Sequence, residues 1–203
     1  MSAAPGTGEA PGPVPCAGRG RPRSAVIDRA VRRAALELLV EQGYGGTSVE
    51  AIAGRAGVGK PAIYRRWPSK AAIVVDALRC HPGIAAPLPD TGDLRADVEV
   101  MLAAVQRGMA GGEGPVMAAF VAEKFRYPEL RDEFERVFVR ERREHLQRLV
   151  AGAVARGELP AGTDVDLVAE IGPALLAHRL LVRHLPPDPD LPRRIVDQLF
   201  GPG

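Results

Sequence analysis

Lys60, Ala62, Tyr64, Arg65 and Arg66 fall in one short stretch, interleaved with Pro61, Ile63 and Trp67. Cations pair with phosphates and guanine edges, a phenol donates to phosphate, and a small methyl meets the methyl of thymine, so this set suits a nucleic-acid groove. Ile63 and Trp67 are four apart and pack down together on a helix, which leaves the polar set outside. A basic helical pair merely packed in a core is the alternative, but Tyr64, Arg65 and Arg66 in a row have no evident packing use.

The flanking residues form the frame for that helix. Thr47 with Glu50 reads as a capping box that opens a preceding helix, with Ile52 and Ala56 facing inward. Gly57 ends it, Val58 plugs the angle, and a new helix opens near Lys60 with Pro61 in its first turn, where a missing N–H is harmless. Pro68 stops this helix, Ser69 caps the next, and Lys70 lies near that N-terminus, where phosphate binds well. Two short helices joined by a glycine turn make a helix-turn-helix. Ahead of them, Ile27, Val31, Ala34 and Leu38 put one face of a longer helix against the pair, and Gly43 ends it.

From about Gly20 to Leu78 the sequence resembles the DNA-binding domain of the TetR family of transcriptional regulators. The resemblance is carried by the basic GRPR lead-in, the helix IDRAVRRAALELLVEQGY, the segment TSVEAIA, the block GVGKPAIYRRWPSK and the helix AAIVVDAL. It implies a homodimer that binds a palindromic double-stranded operator, usually a repressor released by a small molecule, with no cofactor. It would place Lys60, Pro61, Ala62, Tyr64 and Arg66 at base edges or adjacent phosphates, with Ser48 and Lys70 clamping the backbone; Thr47 and Arg65 are further DNA-binding candidates. Gly59 departs from the family pattern, where a hydroxyl cap is common, which leaves the start of the reading helix less firmly held.

Charge is divided along the chain in the same sense. The whole sequence holds 27 Lys and Arg against 25 Asp and Glu. Up to residue 80 the count is twelve basic against six acidic, leaving fifteen against nineteen beyond. A basic head and an acidic body follow, and only the head suits a polyanion. Residues 1–18 are rich in Pro, Gly and Ala without an apolar run, which reads as a disordered tail rather than a signal peptide. Arg21 and Arg23 lie in the basic arm that follows. Two readings of that arm stay open: insertion into a narrow minor groove, or a solvated tail adding non-specific attraction.

Residues 19–80 therefore form the reading head and 81–203 an all-α body, a TetR-like fold of about nine helices. The proline- and glycine-bearing stretch 81–91 marks the boundary. Helices are expected from Leu94 to about Gly108, Val116 to Phe125, Pro128 to about Arg156, Asp164 to Leu185 with Pro173 inside, and Leu191 to Phe200. The charge run Arg140 to Glu144 reads as a solvated turn, with an anionic ligand facing some of those arginines as the other possibility. Met101, Val105, Met109, Met117, Phe120, Phe134 and Phe138 are candidates for an apolar effector cavity, against ordinary core. Val168, Ile171, Leu175, His178 and Val182, with Ile195 and Leu199, form a seam for a dimer interface or for packing within the subunit. Two heads held about 34 Å apart would meet successive major grooves.

Nothing reaches the roughly 18 apolar residues of a membrane span. Cys16 and Cys80 suggest no disulfide framework and a reducing cytoplasm, and the four histidines show no metal-ligand spacing. An enzyme lacks a nucleophile with a base partner, a convergent acid pair or a phosphate loop; Gly111 to Gly114 is too short and has no lysine. A non-specific DNA-compacting protein is the remaining alternative, and equal affinity for any duplex would mark it.

Overall fold

The structure, a computed structural model, describes residues 22–81, 84, 89–110 and 114–201. The tail expected over 1–18, Arg21, most of the 81–91 break and the glycine run at 111–113 lie outside them. Every element among the described residues is helical.

The head comprises α1 (Pro22–Gly46), α2 (Val49–Ala56), α3 (Lys60–Tyr64) and α4 (Lys70–Arg79). The body comprises α5 (Leu94–Ala110), α6 (Gly114–Lys124), α7 (Pro128–Phe134), α8 (Arg140–Ala155), α9 (Val165–Ala177) and α10 (Leu191–Phe200). A π-helical stretch, Glu135–Val139, joins α7 to α8 as one rod, and another, His178–Val182, extends α9. The described residues thus hold nine helical rods. Sequence periodicity located each body helix; the π turns change hydrogen-bond register without breaking the apolar pattern that periodicity reads.

Local chemistry accounts for the ends. Gly43 interrupts α1 at φ 70°, and Thr47 Oγ1 donates to its carbonyl at 2.8 Å. Ser48, rather than Thr47, caps α2: its Oγ accepts from Ala51 N at 3.0 Å. Thr47 is 2% exposed and its hydroxyl serves the end of α1, so the expected capping box does not form. Gly57, at φ 67° and ψ 33°, lets its own N–H return to Ala53 and Gly54 carbonyls. Ser69 Oγ accepts from Ala72 N and Asp164 Oδ1 from Leu167 N, capping α4 and α9.

Two apolar clusters result. One is centred on Val31, Leu39, Ile52, Ile63, Ile73 and Leu78 of the head, and it runs on without a break into Met117, Phe120, Leu130 and Phe138 of the body. The other joins α5, α8, α9 and α10 through Val98, Leu102, Leu149, Leu176 and Ile195. The head therefore shares its core with α6, α7 and the π turn that follows. Cys80 stands at the C-terminal end of α4, and Cys16 lies outside the described residues. No helix among the described residues is long and apolar enough to cross a membrane, and no cluster of three or more potential metal ligands occurs among them.

Candidate nucleic-acid interface

The surface of α3 is built on two buried anchors. Ile63 is fully buried and Trp67 nearly so, which fixes the rotation of the helix on the head. Trp67 Nε1 donates to Asp76 Oδ2 at 2.8 Å, and Arg32 Nε donates to the same oxygen at 2.8 Å. Asp76 thereby ties α1, α4 and the end of α3 together, with Arg79 Nη2 3.3 Å from its other oxygen.

On the outer side, Tyr64 is 52% exposed and Arg65 and Pro61 are also exposed, while Ala62 is partly covered. Arg65 makes no ion pair among the described residues. Lys60 Nζ lies 2.8 Å from Glu50 Oε1, a pair open to solvent on both sides. That hydrogen bond raises the Lys60 pKa and lowers that of Glu50. Such an exposed pair is weak and exchanges readily for a phosphate. Gly59 precedes the helix with no side-chain cap, the expected departure from the family pattern.

Three candidate residues have inward partners. Arg66 folds back on α1: Nε lies 2.7 Å from Asp28 Oδ1, while its other nitrogens donate to Ser24 Oγ at 3.0 Å and Ala62 O at 2.8 Å. Lys70 Nζ donates to Tyr44 O at 2.7 Å and Thr47 O at 2.9 Å, and stands 3.8 Å from the centre of the Tyr44 ring. Its cation neutralises the carbonyl end of α1, and burial lowers its pKa. Thr47 is buried, as above. Ser48 remains partly exposed at the start of α2, its hydroxyl engaged in the cap. Arg23 stands in the first turn of α1, on the same helix as Asp28. Asp28 and Asp76 organise this surface, and their only local sign is that they are acids in a basic head.

The body candidates divide between the two clusters. Met117, Phe120, Phe134 and Phe138 belong to the core beneath the head, where Phe134 stacks 4.8 Å from Phe138 and meets Phe120 at a tilt, 4.7 Å between centres. Met101 and Val105 instead line an apolar cavity of about 50 Å³ between α5, α8, α9 and α10, and Met109 packs on the surrounding cluster. The expected seam divides as well. Ile171, Leu175, His178 and Val182 are exposed, whereas Val168, Ile195 and Leu199 turn into the subunit. Leu167, passed over in the periodicity, takes the outward place of Val168 and continues the exposed stripe at four-residue spacing.

A small basic helix-turn-helix mounted on a helical body, with a tyrosine and an arginine displayed on its second helix, defines a DNA-binding regulator. Residues 31–77 match the family described as bacterial regulatory proteins, tetR family, and residues 88–199 match the tetracyclin repressor-like C-terminal domain. The chain belongs to the TetR family of transcriptional regulators. It is similar to the DNA-binding transcriptional repressor TetR of Mycobacteroides abscessus, at 32% identity over 90% of this chain and 94% of that one. It is also similar to an uncharacterized HTH-type regulator of Bacillus subtilis, YdeS, at 30% identity over 81% and 83% of the two chains. Among solved structures, the TetR family transcription regulator SCO0332 superposes with a TM-score of 0.66 at 26% identity, covering 87% of this chain and 98% of that one.

Proposed function

We propose that this chain is a homodimeric, cytoplasmic repressor that binds a palindromic operator and is released by a small molecule held in the body. The observation that carries the reading is the display of Tyr64, Arg65 and Lys60 on a helix held in place by Trp67–Asp76 and Arg66–Asp28. Locking a reading helix before contact lowers the ordering cost of binding. Lys60, Tyr64 and Arg65 are the proposed groove contacts, and Pro61 and Ala62 the apolar ones. Arg66, Lys70 and Thr47 position the helix and close the end of α1, with Ser48 at the neighbouring backbone.

The exposed stripe Leu167, Ile171, Leu175 and Val182 supports self-association through α9. An apolar face of this length in water marks a partner site. The cavity lined by Met101 and Val105 is the proposed effector site, and a coupling of about 1 to 3 kcal/mol would change operator affinity roughly 5- to 150-fold.

Selection of bound sequences from a random duplex pool, followed by anisotropy titration with unrelated DNA as competitor, tests the reading. Enrichment of an inverted repeat that resists competition is expected. Equal affinity for every duplex would favour a DNA-compacting role instead.

A further inference from the structure

The cavity between α5, α8, α9 and α10 has one cationic side chain on an otherwise apolar lining. Met101, Val105, Leu146, Val168 and Pro173 supply carbon, and Arg142 supplies a guanidinium. Of the neighbouring arginines, Arg143 pairs with Asp166 and Arg136 with Glu133, while Arg140 and Arg148 lie exposed to solvent. Arg142 has no carboxylate partner within ion-pair distance among the described residues; its contact is the face of Phe138, 5.4 Å from the ring centre. The residue as a whole keeps partial solvent exposure, and desolvation is the leading influence on its guanidinium. Burial pulls its pKa below the ordinary value, outweighing the opposite pull of Glu141.

A guanidinium does not shed its proton in a protein, so a desolvated one keeps its charge and bears that cost. An anion entering the cavity offsets that cost, and the planar fork of arginine matches a carboxylate with two parallel hydrogen bonds. Resting on the reading of this cavity as the effector site, we propose that Arg142 anchors the carboxylate of an amphipathic monoanion whose apolar body enters between α5 and α9.

The space present, about 50 Å³, holds only a few waters, so the apolar body must push α9 away from α5. At Gly172 the two helices approach so closely that even a Cβ would stand 2.5 Å from Leu102 Cδ2. Arg142 shares its helical rod with Phe134 and Phe138, which belong to the core beneath the head. Engagement of the anion is thereby transmitted along that rod toward α4.

The test is isothermal titration of the full-length protein with octanoate and phenylacetate, each against its neutral counterpart, 1-octanol or 2-phenylethanol. At least one acid is expected to bind ten-fold or more tightly than its alcohol. Arg142→Met should abolish that preference and Arg142→Lys keep part of it. Ligand-free Arg142→Met should melt no lower than the wild type, since it removes a cation without a carboxylate partner. Equal binding of acids and alcohols, unchanged acid affinity in Arg142→Met, or a lower melting point for that variant would each overturn the proposal. Operator affinity, measured in the same preparations, separates the two readings. Acid-independent operator binding alongside acid binding sinks the regulatory role and leaves the anion site, whereas intact operator binding with no acid binding sinks the anion site alone.

Discussion

The indole nitrogen of Trp67 and a carboxylate oxygen of Asp76 are hydrogen-bonded at 2.8 Å, which fastens the end of the groove-facing segment to α4. Replacing Trp67 by Phe keeps the apolar filling and removes one charge-assisted hydrogen bond. The expected loss is about 1.5 to 3 kcal/mol, read from the urea midpoint at unchanged slope. A change under about 0.5 kcal/mol would mean the bond only decorates the packing.

Tyr64 and Arg65 are exposed, so their truncation should leave folding alone and act on DNA. Tyr64→Ala is expected to weaken selected-operator binding with an unchanged melting temperature. Arg65→Ala should lower the magnitude of the salt slope of log K by about 0.9 per head if it meets one phosphate. Identical slopes for wild type and variant would remove Arg65 from the interface.

Gly45 lies under Tyr127, where an added Cβ would stand 2.2 Å from the phenol oxygen. Tyr127 in turn packs 4.9 Å from Tyr44, at the joint between α1 and the body. Gly45→Ala should cost about 1 to 3 kcal/mol by overpacking. Adding Tyr127→Phe removes the clashing atom and leaves Cζ at 3.2 Å, so the double variant should recover much of the loss. A double-mutant cycle with no coupling would show that the joint relaxes elsewhere.

Burial, with Glu129 beside it, pushes the Tyr44 phenol well above its ordinary range. The folded chain then keeps a proton that the unfolded chain loses above about pH 10, so this group makes stability fall as pH rises beyond that point. Absorbance at 295 nm should therefore show the same tyrosinate signal near pH 10 in folded wild type and Tyr44→Phe, the difference appearing only in urea. A Tyr44 signal at its ordinary pH in the folded protein would contradict the burial.

Ile171→Glu with Leu175→Glu places two charges on the exposed stripe of α9. Light scattering should find a dimer for the wild type and a monomer for the variant, with operator affinity lost alongside. A variant that remains dimeric would move the interface off this face.

Helix positions and the buried anchors Ile63 and Trp67 were legible in the sequence because apolar spacing and caps are local signals. Which of two adjacent hydroxyls caps α2 was not, since Thr47 and Ser48 are equally suited and the choice falls on the carbonyl of Gly43. Arg66 and Lys70 were legible as groove candidates because their type and spacing fit, but their inward contacts were not. Their partners Asp28 and Tyr44 lie far away in the chain, brought close only by folding. The aromatic set in the body was likewise seen, but periodicity does not tell which of two cores a helix face joins. Arg142 stood out from its charge run only once α8 was set beside α5.

The continuity of one hydrophobic interior from Val31 and Ile73 through to Phe120 and Leu130 bears on protein engineering. Grafting residues 19–80 onto a foreign sensor would leave greasy surface stripped of its cover, inviting aggregation. Functional hybrids should transplant α6 and α7 with the DNA reader, and donors that differ at Phe120 or Leu130 should express poorly unless those positions travel too.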